Sequence, residues 1–142
     1  MTLEYWNSLA NQIILISSLL CGFSITIVAN LIISDKSSDK VLNRLLKTAT
    51  VAAACFLVTV FSMTRVLMAT VPGGYLKNVT EKDFLFPRII GTITFIIGVF
   101  SLSFLISLSG WTKSKKAGIF TTTVGIVAIL LILFTMLDIR VN

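Results

Sequence analysis

Long apolar stretches that contain no charged residue alternate along this sequence with short polar segments. The apolar stretches are residues 5–34, 48–64, 89–112 and 117–137. A membrane-spanning helix needs about 20 mainly apolar residues, so each stretch can supply a single span. The pattern therefore predicts four helical spans, at about residues 13–33, 48–70, 88–108 and 117–137.

The polar segments between these spans are too short to fold as separate domains. In the first of them, Val41, Leu42, Leu45 and Leu46 share one side of a helix, which predicts a helical turn or two ahead of the second span. We therefore expect residues 1–142 to form one all-α membrane domain, a bundle of four transmembrane helices.

The composition agrees with a protein of the membrane interior. Hydrophobic residues make up 56% of the chain, charged residues 13%, and the mean hydropathy is +0.97. The chain has no histidine and only six acidic residues, and no acidic residue lies inside an apolar stretch. Because acid–base, nucleophilic and metal chemistry depend on such groups, we expect neither an enzyme nor a bound metal or cofactor.

The net charge of +6 arises from basic residues near the ends of the spans. Anionic lipid headgroups are the nearest partners for these side chains, and we do not expect nucleic acid binding. The first and third connections carry Lys36, Lys40, Arg44, Lys47, Lys113, Lys115 and Lys116. The opposite side carries Lys77, Lys82, Arg88, Arg140 and, near a span end, Arg65. The positive-inside rule then predicts a multi-pass protein of the cell (inner) membrane with both termini outside.

Small and polar residues recur at alternating spacings of three and four within the last three spans. The second span has Ala52, Cys55, Thr59 and Ser62, the third has Gly91, Thr94, Gly98 and Ser101, and the fourth has Gly118, Thr121, Gly125 and Ala128. Such stripes let helix backbones approach closely in lipid. We interpret these three sets as helix-packing positions.

The first span is more polar than the others. Ser18, Gly22, Thr26 and Asn30 follow one another at steps of four, a line that winds slowly around the helix. Such a line can surround a hydrated path when several copies of the helix share one axis. Alternatively, the polar groups bond to their own helix or to a neighbouring helix, which is common in membranes.

Residues 17–30, SSLLCGFSITIVAN, resemble the pore-lining first span of the Orai family of calcium channels, Ser-Ala-Leu-Leu-Ser-Gly-Phe-Ala-Met-Val-Ala-Met-Val-Glu. The shared residues are Ser17, Leu19, Leu20, Gly22 and Phe23. The resemblance implies six copies around an axis, with a filter position at Asn30, a hydrophobic gate near Phe23 and Thr26, and a flexible point at Gly22. Asn30 stands where the family has glutamate, and Thr26 where it has valine, so an uncharged ring would replace the calcium-selective one.

Arg65 is the ionisable residue that the pattern places within a span, about one turn from its end. Its side chain can reach the headgroups, pair with Asp138 at the rim of the bundle, or act as a charge near a pore entrance. The leading hypothesis for the whole chain is a small homo-oligomeric channel or pore-forming protein with the first span around the ion path. The alternative is a non-conducting membrane subunit that anchors a protein partner, such as a bacterial defence or transport assembly.

Overall fold

The computed structural model describes residues 3–33, 40–71 and 82–137. This part of the chain contains four helices: α1 (Leu3–Ile33), α2 (Lys40–Thr70), α3 (Leu85–Ser109) and α4 (Lys115–Leu137). A short 3-10 turn, Gly110–Thr112, joins α3 to α4. All four helices are long and apolar enough to cross a membrane, and the described residues include no strand. The predicted all-α, four-helix membrane fold is thus confirmed.

Helices α1 and α2 extend beyond the spans that the apolar pattern predicts. Each has 31 residues and is therefore about 46 Å long, compared with about 30 Å for the hydrocarbon core of a bilayer. The early turns of α1 contact the end of α2, where the Asn7 amide donates hydrogen bonds to the Leu67 carbonyl (3.3 Å) and to Thr70 Oγ1 (3.2 Å). These bonds hold the segment that precedes the predicted span against the end of α2.

The helices pack in the order in which they occur along the chain. Helix α2 contacts α1 and α3, α3 contacts α2 and α4, and the described part of the chain shows only isolated approaches between other helix pairs. Helix α2 buries a single stripe at spacings of three and four: Leu45, Ala49, Ala52, Phe56, Thr59, Met63, Val66 and Thr70. That spacing keeps one face of α2 turned towards both of its neighbours.

Three apolar clusters along this stripe form the core. At one end Ala10 of α1 meets Met63 and Val66 of α2 and Phe84 ahead of α3. Cys21, Ala52 and Phe56 form the middle cluster, which Phe95 of α3 covers. At the opposite end, which we call the basic end, Leu45, Ala49 and Leu105 pack together.

Helix α4 rests on a second face of α3. Ser103 and Ser107 are buried there, and the Thr121 hydroxyl donates to the Ser107 carbonyl at 3.1 Å. A crevice of about 220 Å³ separates Val99 of α3 from Ile132 of α4 further along. The close contact with α3 is therefore made by the first part of α4.

Candidate functional site

The candidate site is the outer face of α1, which we define as Asn11, Ser18, Gly22, Thr26 and Asn30. All five residues are exposed, and their spacing keeps them on one side of the helix. The opposite side buries Ala10, Ser17, Cys21 and Ser24 against α2. Phe23, beside the outer face, is 59% exposed. All five predicted pore residues, Ser18, Gly22, Phe23, Thr26 and Asn30, thus point away from the chain's own core.

Hydrogen bonding separates the polar groups of α1 into two classes. The Ser24 hydroxyl donates to the Leu20 carbonyl (2.8 Å), and the Thr26 hydroxyl donates to the Gly22 carbonyl (2.9 Å). The side chains of Asn11, Ser18 and Asn30 make no hydrogen bond to another residue in the described ranges. Local bonding therefore satisfies Thr26, whereas the two amides and Ser18 keep their donors and acceptors for another partner.

Gly22 differs from the other glycines that the structure describes. A Cβ atom at Gly22 would meet nothing within 4 Å. At Gly91 it would lie 2.6 Å from Met63 Cε, and at Gly98 it would lie 2.9 Å from the Phe56 ring. Packing within the chain thus explains the small size of Gly91 and Gly98 but not that of Gly22.

The outer face runs from one end of the molecule to the other. Ile27, Val28 and Leu31 pack around the cluster at the basic end, so Asn30 lies near that end. Cys21, next to Gly22, belongs to the middle cluster, and its thiol lies 3.5 Å from the Ala53 carbonyl. Ala10, next to Asn11, belongs to the cluster at the opposite end.

The predicted helix-packing residues of α3 lie towards α2, apart from Ser101. Gly91 and Gly98 contact Met63 and Phe56, and the Thr94 and Thr59 hydroxyls lie 2.9 Å apart. Ser101 is half-buried and lines a groove. In α2, Ala52 and Thr59 belong to the buried stripe, whereas Cys55 and Ser62 are half-buried beside it.

The predicted packing residues of α4 lie towards the end of α3. A Cβ atom at Gly118 would lie 2.6 Å from the Trp111 ring, and one at Gly125 would collide with Ser107. Thr121 bonds to the Ser107 carbonyl, and Ala128 is half-buried. Ser103 and Ser107 are the α3 residues that contact α4, and the spacing pattern did not identify them. The α3 residues that the pattern selected lie mainly on the face towards α2.

A polar cluster at the end opposite the basic end was also missed from the sequence. The Arg88 guanidinium lies over the Trp6 ring, 4.4 Å from its centroid, and the Trp6 indole nitrogen is buried without a partner among the described residues. Arg88 lies at the start of the third predicted span and Trp6 lies ahead of the first, but nothing in their spacing shows that they meet. Cation–π contact between them joins α1 to the start of α3.

The remaining predicted site residues are Arg65 and Asp138. Arg65 is exposed on α2. Asp138 lies outside the described residues, so their pairing stays a prediction. Among the described residues, no group of three His, Cys, Asp or Glu side chains could hold a metal ion.

Comparisons of the chain with protein-family models, curated proteins and solved structures find no match.

Proposed function

We propose that the protein is a small homo-oligomeric membrane channel in which α1 of several copies surrounds an ion path. The observation that carries this proposal is the exposure of the outer face of α1. In hydrocarbon, unpaired amides and hydroxyls cost free energy unless they face protein or water. In a ring of α1 helices these polar groups face both protein and water, since each outer face then borders a neighbouring helix and a shared hydrated axis.

The arrangement of the four helices is compatible with such a ring. Helix α1 packs mainly on α2 among the described helices, and its contact with α3 is made on its inner side, as by Trp6 with Arg88. Its outer face is therefore exposed along the described helix. In the proposed ring, Asn30 forms a polar mouth at the basic end and exposed Phe23 forms a narrow apolar section. An asparagine ring carries no net charge, so we expect little preference for divalent over monovalent cations.

The charge distribution suggests how the channel is oriented. The basic end carries Lys40, Arg44, Lys47, Lys113, Lys115 and Lys116. By the positive-inside rule, this end lies on the cytoplasmic side of the cell membrane, and both termini lie outside. The Asn30 ring then forms the cytoplasmic mouth.

Conductance of the purified protein in planar bilayers tests the proposal. Asn30→Glu should create a site that binds divalent cations, which then block the channel or permeate through it. Asn30→Leu should reduce conduction, because an apolar constriction loses its water. Asn43→Leu and Asn43→Glu are matched controls, since Asn43 is an exposed amide of α2 away from the outer face of α1. They should leave the conductance close to that of the native chain.

The second candidate function is a non-conducting membrane subunit that holds a protein partner. The observation in its favour is the spacing of Ser18, Gly22 and Thr26, since small residues four apart let two helices touch without space for water. Absence of conductance above empty bilayers under voltage would favour this function. A native conductance that neither Asn30 substitution changes would show that α1 does not line the path.

A further inference from the structure

A groove runs along α3, and none of its lining residues belongs to α1. It has a volume of about 520 Å³, and its walls come from α2, α3 and α4. The lining includes Lys47, Val51, Ile97, Ser101, Phe104 and Ile129. The groove exists because α2 and α4 pack on different faces of α3 and leave the face between them uncovered.

The chemistry of the groove changes along its length. Lys47 is the charged residue of its lining and lies at the basic end. The hydroxyl of Thr48, the next lining residue, is engaged with the Arg44 carbonyl at 2.9 Å. From Phe104 to Ile97 the groove follows α3 for about 10 Å with mainly apolar walls. It therefore has a cationic mouth and a hydrocarbon-like interior.

The charge around the mouth favours an anionic occupant. Lys40, Arg44, Lys113, Lys115 and Lys116 lie at the same end as Lys47. The acidic residues that the structure describes, Glu4 and Asp83, lie at the opposite end. Basic pockets between transmembrane helices attract anionic lipid headgroups.

The lining of the groove suits a lipid. A hydrocarbon chain is one methylene wide and can lie along the apolar walls beside Val51, Ile97 and Phe104. Because Lys47 lies at one end of these walls, the groove matches a molecule with an anionic head and an apolar tail.

We propose that this groove binds an anionic glycerophospholipid, with an acyl chain along α3 and the phosphate beside the Lys47 ammonium group. The groove and the outer face of α1 are separate surfaces. Lipid binding here does not depend on whether the protein conducts ions.

Native mass spectrometry of the full chain in mild detergent tests the proposal with two lipids that have the same acyl chains. Dimyristoyl phosphatidylglycerol should bind more tightly than dimyristoyl phosphatidylcholine. Lys47→Gln should weaken phosphatidylglycerol binding about fivefold, the effect expected of one basic residue near an anionic surface, and should weaken phosphatidylcholine binding less, because the choline ammonium already neutralises the phosphate of that lipid. Lys113→Gln is the matched control, because Lys113 is at the same end but does not line the groove.

Filling the groove tests where the acyl chain lies. Val51→Phe and, separately, Ile97→Phe should weaken binding of both lipids, whereas Val58→Phe, at an exposed α2 position outside the groove, should not. These side chains are exposed, and retained helical circular dichroism will show that the variants fold. Equal binding of the two lipids, or an equal effect of Lys113→Gln, would overturn the proposal in favour of diffuse surface charge. A change in oligomer mass with unchanged lipid binding would instead identify a second copy as the occupant.

Discussion

At the residue scale, glycine occupies two kinds of position in these helices. Glycine in a helix costs about 1 kcal/mol relative to alanine. At Gly98 the close approach of the Phe56 ring offsets this cost, because a Cβ atom there would lie 2.9 Å from the ring. Among the residues that the structure describes, Gly22 has no neighbour that could do the same. In the proposed ring, contact with another copy of the protein at Gly22 would offset the cost of glycine in the helix.

This difference predicts opposite results for two matched substitutions. Gly98→Leu should lower the free energy of unfolding by about 1 to 3 kcal/mol or more, because the added side chain cannot fit beside Phe56. Gly22→Leu should raise the free energy of unfolding of the isolated chain by up to about 1 kcal/mol, because the cost of glycine in a helix is removed without a clash. It should also weaken association of copies. Unfolding in mixed detergent micelles measures the first quantity, and light scattering measures the second. Equal losses of stability would mean that Gly22 is packed within its own chain.

The hydroxyl pair between α2 and α3 predicts a small interaction energy. Thr59 and Thr94 lie 2.9 Å apart, but their hydroxyls also reach the Cys55 carbonyl (2.9 Å) and the Ile90 carbonyl (2.8 Å). Since each hydroxyl has one proton and an acceptor in its own helix, a double-mutant cycle of Thr59→Val and Thr94→Val should give about 0.6 kcal/mol. A coupling well above about 1.7 kcal/mol, the upper end measured for such bonds in membranes, would contradict this account.

At the element scale, α4 depends on fewer contacts than the other helices. Gly118 lies against Trp111, and Gly125 lies against Ser107, while the Trp111 indole donates to Thr122 Oγ1 at 3.1 Å. These contacts belong to the first part of α4. Beyond them Leu130 and Phe134 are 60% and 68% exposed.

A substitution at Gly125 should therefore release α4 without unfolding the other helices. Gly125→Leu places a branched side chain where a single Cβ atom already collides with Ser107. Amide hydrogen exchange should accelerate in α4 and remain slow in α2. Leu130→Phe is the control, since that side chain is exposed and its enlargement should leave exchange unchanged. Uniform acceleration in all four helices would show that α4 is an integral part of one cooperative unit.

Sequence periodicity predicted the number and type of these elements better than their relative placement. Charge-free stretches mark the spans because lipid excludes charge. The early start of α1 was not predictable, since Asn7 bonds to Leu67 sixty positions away. Likewise, a helix that is apolar on most sides does not reveal which face meets its neighbour. For that reason Ser103 and Ser107 were not recognised as the α3 residues that contact α4. The polar line of α1 follows from its spacing, and its position at a pore stays a prediction.

At the scale of the whole molecule, the two ends differ in charge. Six of the described basic residues lie at the basic end, and the described acidic residues Glu4 and Asp83 lie at the other. Asn30 and the mouth of the groove along α3 both lie at the basic end. One membrane leaflet would thus contain both proposed polar contacts.

The charge difference predicts the orientation in the membrane. In a variant without Cys21 and Cys55, Ser38→Cys and Ser114→Cys should be protected from an impermeant thiol reagent applied outside, whereas Tyr75→Cys should react. Ser38 and Tyr75 lie in the connections outside the described residues. The reverse labelling pattern would place the basic end outside and the start of α1 on the cytoplasmic side.

The chain-order packing of the helices has a consequence for biosynthesis. Each helix meets its main partner in the segment made just before it, so the contacts can form as the chain leaves the ribosome. The first two helices already bury the inner side of α1 before α3 and α4 exist. A nascent chain of that length presents the complete outer face of α1. In the proposed oligomer, two neighbouring nascent chains would therefore be able to pair through this face before either is finished.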